Sequence, residues 1–164
     1  MRILVFSDSH GETARMRRVI ERTPAELILH LGDGAQEFEC LSETVKSRAL
    51  FLGVRGNCDR ISDLPAERVF EREGIRFLML HGHTHQVKHG LGLLEHYAEA
   101  QQIDVVLYGH THRAEDRYCS GEEGRKPLRL FNPGSISAPW RDEATYGYLE
   151  IRNGVLLTNL AAFI

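Results

Sequence analysis

Five short apolar segments of this chain each stop at a turn that carries aspartate, asparagine or histidine. The segments are MRILVF, ELILHL, ALFLGV, IRFLML and DVVLY, and glycine or a polar residue follows each of them within a few positions. Apolar runs of about four to eight residues bounded by turn signals are typical of buried β-strands. The chain is therefore constrained to a sheet-based fold whose strands end in polar side chains.

Helical patterns separate the first three strands. The inward-facing residues of the two predicted helices are Met16, Val19, Ile20, Phe38, Leu41 and Val45. The first helix is predicted to end before Pro24 and the second to span residues 35–46, and a third is expected over residues 92–101. A hairpin is expected between ERVFER and IRFLML, and further antiparallel strands after GHTH. This order predicts one α/β domain over residues 1–164, with a mixed sheet or two stacked sheets.

Charge and cysteine content limit the binding partners and the cellular location expected for the chain. The net charge of −3 argues against a broad cationic surface, so nucleic acid is expected only as a substrate. No apolar segment approaches the ~20 residues that a membrane span needs, so no membrane partner is expected. Cys40, Cys58 and Cys119 are too widely separated for a disulfide framework or a CxxC metal clamp, which favours a reducing, cytoplasmic location.

Seven residues with metal-binding side chains follow the predicted strand ends. They are Asp8, His10, Asp33, Asn57, His81, His110 and His112. Strand C-termini converge on one crevice in open α/β sheets, so we expect these groups to meet. Carboxylate oxygens and imidazole nitrogens suit Mn, Zn, Fe and similar ions. Seven groups exceed what one tetrahedral ion takes, which favours two ions that share the carboxylate of Asp33, held in its Gly32-Asp33-Gly34 turn.

Ordinary structural roles compete with functional ones at several positions. Asp and Asn are common in turns because their side chains cap backbone groups, although seven such residues at successive strand ends are hard to explain in that way. His30 lies inside an apolar strand and is expected to be a buried, hydrogen-bonded core residue. Asp59 either orients a neighbouring group or caps its turn. Trp140 is expected to pack in its loop or an interface, and Arg141 is a candidate contact for an anionic substrate.

The order of these residues resembles a known family. The matching segments are DSH at 8–10, GD at 32–33, GNCD at 56–59, HGH at 81–83 and GHTH at 109–112, followed by NPGS at 132–135. They resemble the calcineurin-like metallophosphoesterases, and most closely the small bacterial and archaeal phosphodiesterase branch. The resemblance implies a four-layer α/β/β/α sandwich, in which two stacked mixed sheets are flanked by helices.

The resemblance also implies two divalent ions. One would be held by Asp8, His10, Asp33 and His112, and the other by Asp33, Asn57, His81 and His110. Manganese is the expected metal, with nickel, zinc, iron or magnesium as alternatives. A hydroxide that bridges the ions would attack the phosphorus of a small-molecule phosphodiester. The expected catalytic residues are Asp33, Asn57 and His10, and the expected substrate contacts are Asn57, Cys58 and His83.

Two similar segments, FLMLHGHTH and VVLYGHTH, are expected to contribute unequally to this site. The first supplies His81, whereas the second supplies His110 and His112. Alternation along an extended segment is expected to keep His110 and His112 on one side, so that the pair faces two adjacent ions.

Cys58 stands where many relatives carry a histidine thought to protonate the leaving group. A thiol with a pKa of about 8.5 is a poorer general acid, which would penalise monoesters most and favours a phosphodiester substrate. Two alternatives remain. The chain could be a phosphomonoesterase, or a non-catalytic interaction scaffold like the retromer subunit that resembles this family but has an altered metal site. Assembly into a homo-oligomer is left open.

Overall fold

Residues 1–121, 124–137 and 143–164 are described in the computed structural model of the chain. The predicted roles of Trp140 and Arg141 fall outside these residues. The strands are β1 (Arg2–Phe6), β2 (Leu27–His30), β3 (Leu50–Gly53), β4 (Glu67–Arg72), β5 (Ile75–Leu80), β6 (Val105–Leu107), β7 (Ala114–Cys119), β8 (Leu128–Pro133), β9 (Thr145–Arg152) and β10 (Val155–Ala162). The helices are α1 (Thr13–Arg22), α2 (Ala35–Thr44) and α3 (Gly92–Ala100), and a 3₁₀ helix spans His83–His85.

The strands form two five-stranded sheets. Their orders are β10-β9-β1-β2-β3 in the first sheet and β4-β5-β6-β8-β7 in the second. The predicted parallel pairing of β1, β2 and β3 is confirmed, and β5, β6 and β8 are also parallel to one another. The predicted hairpin joins β4 to β5 through Glu73 and Gly74, whose φ angles of 50° and 78° suit a tight turn. Both sheets are therefore mixed.

Alternating side chains of the strands pack on two different layers. Ile3 and Val5 of β1 lie in a core shared with Phe77 of β5 and Phe131 of β8, which joins the two sheets. Leu4, between them on β1, packs instead with residues of α1 and α2. A third cluster places α3 against the outer face of the second sheet. The four-layer α/β/β/α sandwich is confirmed, because a strand buried on both faces needs a partner layer on each side.

The two amphipathic helices of the first half follow the spacing of their apolar residues. Met16, Val19 and Ile20 are the buried residues of α1, as predicted, because they recur every three to four positions. The second helix ends at Thr44 and not at residue 46, while Val45 stays buried just beyond it. Helix ends commonly differ by one or two residues from a pattern-based boundary. None of the helices in the described ranges is long and apolar enough to cross a membrane.

Strand ends from both sheets position the predicted site. The candidate residues follow their strands within one to five positions, with Asp8 after β1, Asp33 after β2, Asn57 after β3, His81 after β5 and His110 after β6. The two sheets are stacked with these ends on the same side, since Gly109 donates a backbone hydrogen bond to His81, and the ring of His81 contacts the carbonyl of Leu31, the residue after β2 of the first sheet. The crevice therefore lies between two sheets, not at the edge of one.

Candidate metal centre

Three overlapping groups of potential metal ligands occur among the described residues. They are Asp8, His10 and His112; Asp33, His81 and His110; and His10, Asp33 and Cys58, each with ligand atoms within 4.8 Å of one another. His10 and Asp33 each belong to two groups. Six of the seven predicted ligands are thus brought together by the fold. His10 links the group of Asp8 to the group of Cys58, and Asp33 links the group of Cys58 to that of His81.

One oxygen of Asp8 is left free inside the protein. Its Oδ2 accepts hydrogen bonds from the Ser7 hydroxyl at 2.6 Å and from the backbone N–H of His110 at 3.0 Å. Its Oδ1 is buried and accepts no hydrogen bond, although Nε2 of His112 lies 3.1 Å away. A buried carboxylate oxygen without a donor is costly unless a cation faces it. The Ser7 and His110 donors aim that free oxygen at His112.

The ring of His81 has a fixed orientation. Its Nδ1 lies 2.8 Å from the carbonyl oxygen of Leu31, and because a carbonyl only accepts, Nδ1 carries the proton. In the neutral ring, Nε2 therefore presents a lone pair. That atom lies 3.4 Å from Oδ2 of Asp33, 3.9 Å from Oδ1 of Asp8 and 3.2 Å from Nδ1 of His110. Burial opposes protonation of this ring, but the hydrogen bond to Asp33 and the charges of Asp33 and Asp8 raise the pKa of His81. In the protonated ring the second proton lies on Nε2 and faces these carboxylates, in the position that a cation would take.

These separations fit a divalent cation. Ligand atoms about 2.0–2.1 Å from a tetrahedral ion lie about 3.3 Å from one another. The separations around His81 and between Asp8 and His112 run from 3.1 to 3.9 Å, and Nε2 of His10 lies 3.4 Å from Nε2 of His112. The donor set of imidazole nitrogens and carboxylate oxygens also suits first-row transition metals. The described residues therefore fit a metal ion at the group of Asp8 and His112 and another at the group of Asp33 and His81.

Charge and burial set the protonation states in the centre. Burial opposes ionisation of Asp33, but the hydrogen bond and charge of His81 and the amide of Cys58 outweigh it and lower the pKa of the carboxyl. The pKa of Asp8 is also lowered, since His112, His81 and Ser7 outweigh its burial. Burial and the neighbouring His81 lower the pKa of His110 to about 4. Ionised carboxylates beside a neutral imidazole are the forms that bind a cation.

Five of the seven predicted ligands have a left-handed backbone. They are Asp8 (φ 53°), His10 (φ 42°), Asp33 (φ 56°), His110 (φ 68°) and His112 (φ 59°). The expected extended alternation of His110 and His112 is therefore wrong. Instead, the left-handed turns send His110 toward Asp33 and His81, and His112 toward Asp8 and His10. Residues with a side chain adopt this conformation at a cost of about 1–2 kcal/mol each, and such strain concentrates at functional sites.

The buried side chain of Asn132 holds the turn that carries both histidines. Its Nδ2 donates to the carbonyl oxygen of Gly109 at 3.0 Å and to the Thr111 hydroxyl at 3.1 Å, while its Oδ1 accepts from the N–H of Gly134 at 2.9 Å. Asn132 thereby fixes the residues on both sides of His110. The NPGS segment pointed to this position in the sequence, but its role follows only from these contacts.

We expect Asn132→Asp to weaken Mn²⁺ binding by about 10- to 100-fold, the usual effect of losing a group that orients a ligand. The new carboxylate keeps the bond to Gly134 but can no longer donate to Gly109 and Thr111. Calorimetric titration of Mn²⁺ into the metal-free protein measures the change. Asn153→Asp, in an exposed turn, is the matched control. Equal Mn²⁺ affinity for the wild type and Asn132→Asp would show that the turn carrying His110 and His112 keeps its conformation without Asn132.

Asp59 binds four backbone amides at once. Its Oδ2 accepts from the N–H of Asp33 and of Gly56, both at 2.7 Å, and its Oδ1 accepts from the N–H of Gly34 and of Ala35, both at 2.9 Å. Both predicted roles are thus combined, because the carboxylate caps the start of α2 and ties the loop after β2 to the loop after β3. These bonds outweigh partial burial and lower the pKa of Asp59.

Residues of the GNCD and HGH segments lie at the margin of the centre. Asn57 is exposed, with its Nδ2 donating to Sγ of Cys58 at 3.4 Å. Although Cys58 is exposed as a residue, desolvation of its sulfur and the Asp33 carboxylate raise the pKa of the thiol to about 11. His83 is half-buried, and its ring centroid lies 5.5 Å from that of His81. It lies outside the three ligand groups.

His30 is the core residue that was predicted. It is fully buried, stacks on Phe38 at 5.1 Å between ring centroids and places Nε2 3.0 Å from the hydroxyl of Ser9. Its Nδ1 accepts from the N–H of Gly32 at 3.2 Å, so Nε2 carries the proton and donates to Ser9. Burial lowers the pKa of His30 to about 4, so its ring is neutral. Ser9 lies between two predicted ligands, and sequence reasoning did not find this link.

Two stacked mixed sheets, with carboxylates and imidazoles gathered at their strand ends, define the class of metallophosphoesterases. The chain belongs to the calcineurin-like phosphoesterase superfamily, whose domain model matches residues 1–154. The family and fold expected from the ordered segments are thereby confirmed, and the family uses divalent metals.

Individual relatives span nearly the whole chain. A probable metallophosphoesterase of Bacillus subtilis, YsnB, is 32% identical over 154 residues, which cover 93% of this chain and 86% of YsnB. The phosphodiesterase YfcE of Escherichia coli is 29% identical over 177 aligned positions, covering 92% of this chain and 88% of YfcE. The crystal structure of a predicted phosphoesterase from Streptococcus pneumoniae has a TM-score of 0.79 at 26% identity and covers 98% of this chain and 88% of that one.

Proposed function

We propose that the protein is a phosphodiesterase that works with two divalent cations. The two sets of ligands are Asp8, His10, Asp33 and His112, and Asp33, Asn57, His81 and His110. The observation that carries the proposal is the buried Oδ1 of Asp8, which accepts no hydrogen bond and lies within a group of potential metal ligands. Asp33 belongs to the group of His81 and, with His10, to a second group, and its carboxylate is the proposed shared ligand. Manganese is the proposed metal, because the donors mix nitrogen and oxygen.

The chain's own residues prepare the site for hydrolysis. When bound, the cations would activate water and attract the phosphoryl oxygens. Asp33 is held by the backbone N–H of Cys58 at 2.8 Å on its Oδ1, which leaves Oδ2 directed at His81. Asn57, a neutral amide, limits the negative charge that faces an anionic phosphate. His10 is exposed at the mouth of the crevice, where its neutral ring would hold one of the cations.

A diester is the proposed substrate because of the residue beside Asn57. Cys58 is a weak proton donor, so leaving groups that need strong protonation depart slowly. An activated diester needs less help than an alkyl monoester. The relative YfcE is a named phosphodiesterase, which supports the same choice. We also propose that residues 1–164 act as one domain, because both sheets share a core, and that the free thiols Cys40, Cys58 and Cys119 reflect a reducing cytoplasm.

The test measures hydrolysis by the purified protein before and after metal removal. After dialysis against a chelator, we expect hydrolysis of bis(p-nitrophenyl) phosphate to fall by at least about 100-fold and to return with Mn²⁺, since water activation depends on the cation. We expect p-nitrophenyl phosphate, a monoester, to be hydrolysed more slowly. A faster monoester would instead support phosphomonoesterase activity. Absence of any metal-dependent turnover would favour the interaction scaffold.

A further inference from the structure

A cavity of about 280 Å³ opens beside the candidate metal centre. Its floor is shared with the centre, through His10, Asp33 and Cys58. Its walls come from two segments, the first turn of α2 and the loop that follows Asp59. The cavity is therefore continuous with the place where a phosphate would lie, and Asp59 joins the two walls through its bonds to Gly34 and Ala35.

The walls combine polar groups with one exposed apolar side chain. Gln36 and Glu37 line the cavity from α2, and Arg60, Ile61 and Ser62 line it from the loop. The side chain of Ile61 is 86% exposed, so it offers apolar area that a ligand can cover. An amide, a hydroxyl, a carboxylate and a guanidinium can together donate to and accept from hydroxyl groups. The chemistry suits a compact group that carries hydroxyls and has one apolar face.

Resting on the function proposed above, we propose that this cavity binds the retained ester group of the substrate, and that this group is an uncharged, hydroxyl-bearing alcohol such as a nucleoside. In an in-line displacement, the attacking and leaving oxygens lie on opposite sides of phosphorus, and the retained ester extends sideways. A cavity beside the centre is placed for that sideways group. A monoester has no retained ester and gains nothing from the cavity.

Charge and size restrict the group further. Outside the metal centre, the cavity has two carboxylates, Glu37 and Asp59, against one guanidinium, Arg60. The charge of Asp59 is compensated by its four amides, so Glu37 and Arg60 leave this part of the lining without net charge. Such a lining favours an uncharged ester group, and Glu37 opposes a second phosphate or a carboxylate on it. About 280 Å³ is at the small end for ligand pockets and suits one nucleoside-sized group rather than a polynucleotide.

The experiment compares three activated diesters with the same p-nitrophenolate leaving group. Their retained groups are methyl, thymidine, and thymidine with a 3′-phosphate. In the Mn²⁺-loaded wild type, we expect kcat/KM for the thymidine ester to exceed that for the methyl ester by about tenfold. The reason is that thymidine adds apolar contact with Ile61 and hydrogen bonds to the cavity lining. The 3′-phosphate is expected to remove most of that gain.

Two variants and two matched controls assign the effect to the cavity. Ile61→Ala is expected to reduce the thymidine-to-methyl ratio of kcat/KM by about fivefold through lost apolar contact. Glu37→Gln is expected to improve the 3′-phosphate ester relative to the thymidine ester. Leu93→Ala, at an exposed position on α3, and Glu43→Gln, at an exposed position on α2, should leave both ratios unchanged. Thermal melts confirm that each variant is folded.

The result separates this proposal from the proposed function. Metal-dependent hydrolysis of the methyl ester with no preference for thymidine, or equal ratios in Ile61→Ala and Leu93→Ala, would overturn the cavity as a binding site and leave the phosphodiesterase intact. Unchanged discrimination against the 3′-phosphate in Glu37→Gln would overturn the assigned role of Glu37. No metal-dependent turnover of any ester would overturn both proposals.

Discussion

Asp33→Asn is expected to reduce metal-dependent phosphodiester hydrolysis by about 1,000-fold or more, which corresponds to about 4 kcal/mol of transition-state stabilisation. The amide has no negative charge to share between two cations. Its oxygen can keep the bond from the N–H of Cys58. Its NH₂ group then takes the place of the wild-type Oδ2, which lies 3.4 Å from Nε2 of His81. The amide would donate to the lone pair that should bind a cation, so two ligands are lost by one change.

The fold should survive this substitution. The amide of the variant can hydrogen-bond to His81 in place of the carboxylate. We therefore expect the melting temperature of the metal-free protein to change by only a few degrees. Kinetic assays with bis(p-nitrophenyl) phosphate and calorimetric titration of Mn²⁺ measure the two effects. Asp63→Asn changes an exposed carboxylate in the same way and is the matched control. Full activity in Asp33→Asn would refute the proposed centre.

Asp59→Asn is expected to cause the largest loss of stability among single polar substitutions near the site. An amide oxygen can serve one pair of backbone donors, but its NH₂ group points at the other pair, such as those of Asp33 and Gly56. Two partly buried donors left without an acceptor cost about 1–3 kcal/mol each, so the free energy of unfolding should fall by about 4 kcal/mol. Urea denaturation of the metal-free protein, with Asp63→Asn as the control, measures it.

Acid should remove from the wild type the stabilisation that the ionised carboxylate of Asp59 provides. The pKa of Asp59 is lowered in the folded protein, as are those of Asp8 and Asp33. Such groups stabilise the fold fully above the unfolded-state pKa of about 3.9, and the contribution is lost as pH falls through the folded-state pKa. Stability of the metal-free wild type should therefore drop steeply below about pH 4, and less steeply in Asp59→Asn. Parallel pH curves for the two proteins would contradict the role assigned to this carboxylate.

Local patterns were sufficient to predict most of the secondary structure. Met16, Val19 and Ile20 predicted the buried face of α1, and the apolar runs predicted the strands, because periodicity depends only on neighbours in the chain. The end of α2 was misplaced by two residues, since Val45 is buried although it lies outside the helix. A buried residue beyond a helix end follows the helical pattern without belonging to it.

Local patterns could not predict how the loops are held. The left-handed backbone of His110 and His112 depends on Asn132, some twenty residues later, and the orientation of His81 depends on Leu31, directly after β2 of the other sheet. These contacts join segments that are distant in the chain. The expected extended conformation after β6 was wrong for that reason, although both histidines do reach the ligand groups.

The amino-acid sequence by itself determined which residue types follow each strand, and hence the family and the kind of chemistry that the chain can support. Only the tertiary structure decided which oxygen of Asp8 stays free, how Asp59 joins two loops, and that a cavity with Ile61 on its rim opens beside the centre. The physical reason is that hydrogen bonds to backbone groups and the shape of a cavity arise from segments brought together by packing. Residue order and spacing do not specify them directly.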